Sequence, residues 1–415
     1  MPNNLLTPIV NDRTRSVNFF NGRLLTGEDL TAEQQANRVA HSLLGQAMGS
    51  GVAYGLEVSE SATLSQIASP VLSIKRGLAI NSNGGTLLLD HDTDISLVRP
   101  AGPASGGSSV FAECLPMQSG VYIAGAGVYL LTIGPASATQ GLAEVSGVST
   151  GSAPCNSKYK ADGVQFRLVQ LDLAQSELGD VNHLRNLVAY KCFGVGDWAT
   201  NVRDPFGTAP GSHGLIDQLR SAKTITGCEV PLAVLYWTAT DGVVFVDMWA
   251  VRRALIQADS GNAWGVLAND RAIHEAQAAF FQFQLQVDEL LKNSGAPQSI
   301  SVSTNFRYLP PAGILPIAGI SSPGFDYLQF FSSVTYRQPV FIEGARLQMV
   351  LRKSLRYSPI DLNNKEMVWL YLVRENREPP EALFAKPYMV FVTGHAPYYG
   401  DAHYNVARWD YSNYF

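Results

Sequence analysis

A chain of 415 residues is long enough for two or three domains, each with a core of its own. A hydrophobic content of 46% with only 16% charge excludes a disordered chain, and a net charge of −5 without a basic run argues against a nucleic-acid footprint. No stretch of about 20 apolar residues is present, so no membrane-spanning helix is expected. The low charge fits either a surface largely covered by other subunits or an all-β protein rich in Gly, Ser and Thr.

Residues 1–16 read as a polar N-terminal arm, ordered against a neighbour if at all. Met1-Pro2-Asn3-Asn4 has no basic n-region and no long apolar run behind it, so no signal peptide is expected. Cys114, Cys155, Cys192 and Cys228 lack Cys-x-x-Cys spacing and read as reduced, buried thiols, with one or two disulfides left open.

Val17 to Val58 is the stretch around which the chain is organised. Thr26 is placed to cap a helix, with Glu28 and Asp29 in its first turn where the dipole favours negative charge. Asp29, three residues past Thr26, forms a variant capping box, and Leu25 and Leu30 have the spacing of a hydrophobic staple. The helix is polar over Glu33, Gln34, Gln35, Asn37, Arg38 and His41. It then carries Ala36, Val39, Ala40, Leu43, Leu44, Ala47 and Met48 at helical period, before Gly49 and Gly51 stop it. Two readings follow: a helix half buried on its own domain and half exposed or held against another chain, or a solvated surface helix with a short apolar foot.

The run Phe20-Asn21-Gly22-Arg23-Leu24-Leu25-Thr26, then Glu28-Asp29-Leu30, Glu33-Gln34 and Gly55-Leu56-Glu57-Val58, resembles a segment shared by structural proteins of contractile phage tails and extracellular contractile injection systems. Relatives read phenylalanine-aspartate-glycine-glutamine where this chain has Phe20-Asn21-Gly22-Arg23, so Asn21 and Arg23 depart from the pattern. Arg76-Gly77-Leu78-Ala79-Ile80, Cys228-Glu229-Val230-Pro231-Leu232-Ala233 and Leu309-Pro310-Pro311-Ala312-Gly313-Ile314-Leu315-Pro316 extend the likeness over roughly three quarters of the chain. The resemblance implies a baseplate or tail-fibre adaptor, assembled in a host cytoplasm and located in a virion or phage-like particle. It implies docking on another tail subunit through Phe19, Phe20, Asn21, Gly22, Leu24, Leu25, Asp29, Gln34 and Arg38.

After Val58 the pattern turns to strands. Val71–Lys75 and Thr86–Leu89 flank Asn83-Gly84-Gly85, a hairpin signal. Residues 100–120 and 134–162 read as Gly/Ser/Ala-rich loops around a buried strand at Val128–Ile133. Val164–Leu168 alternates as a strand with one wet face. Short helices are expected near Val181–Lys191 and Gly214–Ala222, and a hairpin over Val230–Trp237 and Val243–Trp249 around Asp241-Gly242. A second long helix spans Asp270–Asn293. On it Ile273, Ala276, Phe280, Phe283, Val287 and Leu290 form an a/d seam, which either packs on the β domain or joins sister copies into a homo-oligomer. Residues 298–415 read as strands at Ile300–Tyr308, Met367–Val373 and Tyr388–Thr393, with Leu347, Val350 and Leu351 on a helix. The chain is thus read as α+β, with mainly antiparallel β domains and two long helices. Its units are an arm (1–16), a docking segment (17–58), a β domain with long loops (59–265), a helix (266–297) and a C-terminal α+β domain (298–415).

No catalytic constellation stands out: Gly-x-Ser-x-Gly, a P-loop and His-Glu-x-x-His are all missing. His395, Asp401 and His403 fall within one loop, and His91, Asp92 and Asp94 at a strand end. Both sets read better as solvated or backbone-bonded groups than as metal ligands. No enzyme activity, cofactor or metal is expected. Tyr398, Tyr399, Tyr404, Trp409, Tyr411 and Tyr414 crowd the end of the chain. They support the alternative of a receptor-binding tail protein that stacks on surface glycan, although the same residue types dominate protein interfaces.

Overall fold

The computed structural model describes residues 16–98, 123, 125–144, 155–193, 214–255, 270–318, 324–355, 357, 359–363, 367–373 and 388–392. Helix α1 (Gly27–Met48) leads into six short strands, β1 (Gly51–Gly55), β2 (Val58–Glu60), β3 (Val71–Ile74), β4 (Gly77–Ile80), β5 (Thr86–Leu89) and β6 (Thr93–Ser96). Two long strands follow, β7 (Gly127–Glu144) and β8 (Cys155–Gln170), then helices α2 (Gln175–Leu178), α3 (Val181–Phe193) and α4 (Leu215–Ser221), and strands β9 (Val230–Thr238) and β10 (Gly242–Asp247). Helix α5 (Asp270–Asn293) and the single turn α6 (Val302–Asn305) precede β11 (Tyr308–Leu309), β12 (Ala312–Pro316), α7 (Tyr327–Phe330), β13 (Thr335–Tyr336) and β14 (Val340–Ile342). Helix α8 (Gly344–Ser354), β15 (Ile360–Asp361), β16 (Met367–Val373) and β17 (Tyr388–Val392) complete the described chain.

A four-stranded antiparallel sheet in the order β10-β9-β7-β8 divides the first two thirds into layers. Strand alternation sends Val128 and Leu130 of β7 to one face, where they meet Leu184, Val188 and Phe193 of α3 and Ala278 and Ala279 of α5. Tyr129, Leu131 and Ile133 point the other way, onto Leu56, Leu72, Ile74, Ala79 and Leu87. Both faces of β7 are covered, which is why Val128–Ile133 is apolar at nearly every position. Thr132 is the exception, and its hydroxyl donates to Glu229 at 2.9 Å.

The second face is covered by two small sheets, β1-β4-β5 and β2-β3-β6. The Asn83-Gly84-Gly85 turn joins β4 to β5, not the Val71 strand to the Thr86 strand: Arg76–Ile80 supplies the strand between them, while β3 pairs with β2 and β6. The two sheets meet at Gly55-Leu56, where both residues take positive φ, +63° and +57°. A buried leucine in that conformation is costly, and Arg252 offsets the cost by donating to the carbonyls of both Gly55 and Leu56. Gly55 lies against Gly77, and a Cβ on either would fall within 2.5 Å of the other strand's backbone. Val52, Leu56 and Val58 are core, so a boundary after residue 58 divides a structural unit; the β domain begins at Gly51.

The expected loop over 134–162 is a β-ribbon over its described part. Strand β9 pairs with β7 only as far as Ile133↔Val230, whereas β7 and β8 stay paired out to Glu144↔Cys155. Ser137, Ala138, Thr139, Gln140 and Gly141 carry no alternating apolar signal, and none of them is buried. Residues 99–122 lie outside the described chain.

Helix α5 spans two cores. Its Ala278 and Ala279 belong to the layer under β7, and Phe283 and Val287 to a C-terminal core with Phe306, Phe325, Phe330, Leu370 and Phe391. That core sits on a five-stranded mixed sheet in which β16 is antiparallel to β17 and parallel to β13 and β14. The strand expected over Ile300–Tyr308 is instead the turn α6 followed by a two-residue strand. The Ser-Val-Ser-Thr-Asn run has β-branched residues, but it also has the side chains that favour helix starts and turns.

Candidate docking segment

Helix α1 starts as its sequence requires. Thr26 Oγ1 accepts from Asp29 N at 3.2 Å, and the Asp29 carboxylate accepts from Thr26 N and Oγ1, both at 3.0 Å. These bonds, the Thr26 backbone N–H first, hold the Asp29 carboxyl below the usual carboxylate range. The stretch before the helix is pinned back onto it. Val17 N donates to Glu33 at 3.0 Å, and Arg23 donates to the Asn18 carbonyl at 2.7 Å and to Asp29 at 2.5 Å. Arg23, where the chain departs from the tail-protein pattern, is therefore an internal clasp. Asp29 is engaged by that clasp and by the cap.

The apolar side chains of this stretch are left in water. Phe19 is 55% exposed, Phe20 63%, Leu24 89%, Leu25 51% and Leu30 52%. Asn21, Gly22 and Gln34 are exposed as well, and Arg38 reaches across to Asp162 of β8 at 3.3 Å in an exposed pair.

The foot of α1 is held differently from its expected apolar stripe. Ala36 and Gly45 are its buried residues. Gly45 sits against the β4–β5 turn so closely that a Cβ there would lie 2.1 Å from the Gly84 carbonyl oxygen, and one on Gly84 1.8 Å from that of Ser42. Ser42 Oγ and Gln46 Nε2 both donate to the Asn83 carbonyl. Attachment through backbone approach needs small residues, and Leu43, Leu44 and Met48 are turned out at 48%, 63% and 60% exposure. The expectation that this half of the helix is buried on its own domain through its apolar stripe is corrected: Gly45 is buried and Ser42 half-buried, while Leu43, Leu44 and Met48 are exposed.

The expected oligomer seam on α5 is also corrected. Ala276, Phe283 and Val287 are at most 1% exposed within the single chain, and Ile273, Phe280 and Leu290 are half-buried. Phe283 stands 5.0 Å from the Phe306 ring and 5.2 Å from the Phe391 ring, so the stripe is already occupied by the C-terminal core.

Buried charge elsewhere is paired as in a scaffold. Glu229 accepts from Arg167, Thr132 and Thr226. Arg185 bridges Asp247 and Glu289, and Arg253 meets Glu275. Asp92, near His91 and Asp94, accepts from Lys75 at 2.7 Å and Arg76 N at 2.9 Å, which ties down a strand end. Among the described residues there is no group of three or more His, Cys, Asp and Glu arranged to hold a metal ion, and no helix long and apolar enough to cross a membrane. His395, Asp401, His403 and the terminal aromatics lie outside the described residues. Cys192 is a free, buried thiol whose pKa burial pushes up to about 12, as the reading of reduced, buried thiols had it, whereas Cys228 is disulfide-bonded, the alternative that reading left open.

No family model matches this chain, and no curated protein matches it significantly.

Proposed function

We propose that this chain is a structural, non-enzymatic assembly protein of a phage-like contractile tail, a baseplate or tail-fibre adaptor that docks on a neighbouring subunit through Phe19–Met48. The observation that carries the reading is an apolar edge that is exposed and yet fixed. Phe19, Phe20, Leu24, Leu25 and Leu30 stay in water while Glu33, Asp29, Arg23 and the capping box fix the backbone beneath them. Leu43, Leu44 and Met48 add further exposed apolar side chains along the same segment. A surface already held in one conformation loses little entropy on docking, which favours a stable joint. The tail assignment itself rests on the motif resemblance.

The test is a triple substitution, Phe19→Asp, Phe20→Asp and Leu24→Asp, in particles assembled in the host. These side chains support no core, so the purified variant keeps its circular dichroism and melting profile, with stability changed by no more than about 0.5 kcal/mol per site. The expected outcome is loss of the chain from purified particles. Wild-type incorporation of the folded variant removes the docking claim. A truncation used for the same purpose must stop before Gly51, because Val52 and Leu56 belong to the β core.

A further inference from the structure

The ribbon formed by the outer halves of β7 and β8 extends roughly 35 Å past Ile133, at the ~3.4 Å rise of an antiparallel strand. Two strands without a third are marginal in water, since each strand leaves one row of backbone groups unpaired. Among the described residues, β7 beyond Ile133 pairs with β8 alone. Pro135, which brings no N–H to any ladder, stands just past the last pair with β9. The two edges of the ribbon differ in kind. On β8 the stretch carries exposed Lys158 and Asp162, charges with which edge strands repel further pairing, and a half-buried Lys160 whose ammonium nitrogen is enclosed. On β7 the stretch Ala136–Ala143 is uncharged throughout, and Ala138, Thr139 and Gln140 are exposed.

We propose that the β7 edge over Ala136–Gln140 pairs antiparallel with the same edge of a second copy, making one four-stranded sheet from two ribbons. The occupant follows from the edge itself. An antiparallel edge is its own complement about a two-fold axis, each residue serving as donor and acceptor for its mate. An uncharged stretch meets its copy without like-charge repulsion, and the lysines stay on the outer strands. The pairing supplies each ribbon with the extra strands that a free hairpin lacks. It uses the outer edge of β7, whereas the docking segment meets the ribbon through Arg38 and Asp162 of β8, and it does not depend on how that segment is used.

The full chain is examined by sedimentation equilibrium and by amide hydrogen exchange at low and high protein concentration. A dimer is expected, with backbone amides over Ala136–Gln140 protected more strongly as concentration rises. Ala138→Lys together with Gln140→Lys sets like charges across the two-fold and weakens the dimer by about tenfold or more, with the monomer's melting profile unchanged. A monomer at all concentrations overturns the proposal. So does a dimer that the lysine pair leaves intact, and so does protection that is independent of concentration, which means that the same chain covers the edge.

Discussion

The two long helices of this protein are close in length and opposite in use. Helix α5 is wedged between two cores, with Ala276, Ala278, Ala279, Phe283 and Val287 buried and even Gln282 and Gln286 enclosed and hydrogen-bonded. Helix α1 buries Ala36 and Gly45 and turns Leu30, Leu43, Leu44 and Met48 to water. The comparison teaches that an apolar stripe and its destination are separate questions. A heptad seam that looks made for sister copies is filled by Phe306 and Phe391 of its own chain, while leucines that look like a buried foot are left free. What decides is the neighbour: a phenylalanine-rich core accepts large side chains, whereas a glycine turn accepts only backbone.

The difference is broken most sharply by a pair of substitutions. Phe283→Ala removes a fully buried ring from between Phe306 and Phe391 and is expected to cost about 3–5 kcal/mol in chemical denaturation. Leu44→Asp, at a residue 63% exposed, is expected to change stability by no more than about 0.5 kcal/mol. If α5 served sister copies instead, Phe283→Ala would change assembly mass and leave the monomer's stability nearly intact. A smaller effect is expected from Gly84→Ala. Its Cβ would meet the Ser42 carbonyl at 1.8 Å, and φ is +79°, so the β4–β5 turn and the foot of α1 cannot both stay in place. A loss of more than about 1 kcal/mol is expected, with faster amide exchange over Ser42–Met48. A variant that keeps wild-type protection there would mean that α1 is attached elsewhere.

Much of the scaffold was legible in the sequence where local chemistry decides. The capping box at Thr26 and Asp29, the ends of α5, the Asp241-Gly242 hairpin and the apolar run of β16 all follow from period and turn residues. The tail-like motifs were legible as patterns but not as reasons. Gly55 and Gly77 are glycine because the backbones of two paired strands approach closely there, and Gly313 because a Cβ would strike the Phe391 ring at 2.4 Å. Glu229 is acidic because Arg167 and Thr226 close on it. The outer part of the β7–β8 ribbon was illegible because period-2 patterning records a buried face, and no residue over Ser137–Gly141 is buried. The outward turn of Leu43 and Leu44 was hidden because it depends on Gly84, about forty residues away in sequence.

The smallest effect expected concerns how α1 begins. The Asp29 carboxylate accepts from Thr26 N, from the Thr26 hydroxyl and from Arg23, and its pKa in the folded chain is lowered accordingly. A lowered folded-state value means that the clasp is fully present above the ordinary carboxylate range and is lost as pH falls through the folded value. In that acid range Thr26–Leu30 frays and Arg23 releases Asn18, while the β core, which does not use Asp29, stays folded. Nuclear magnetic resonance or hydrogen exchange over Thr26–Leu30 along an acid titration reads this directly. Asp29→Asn is expected to show the frayed pattern already at neutral pH, with the global melting profile unmoved. An acid titration that melts α1 and the β sheets together would show that the segment is an integral part of the core, and the contrast between the two helices would then fail at its nearer end.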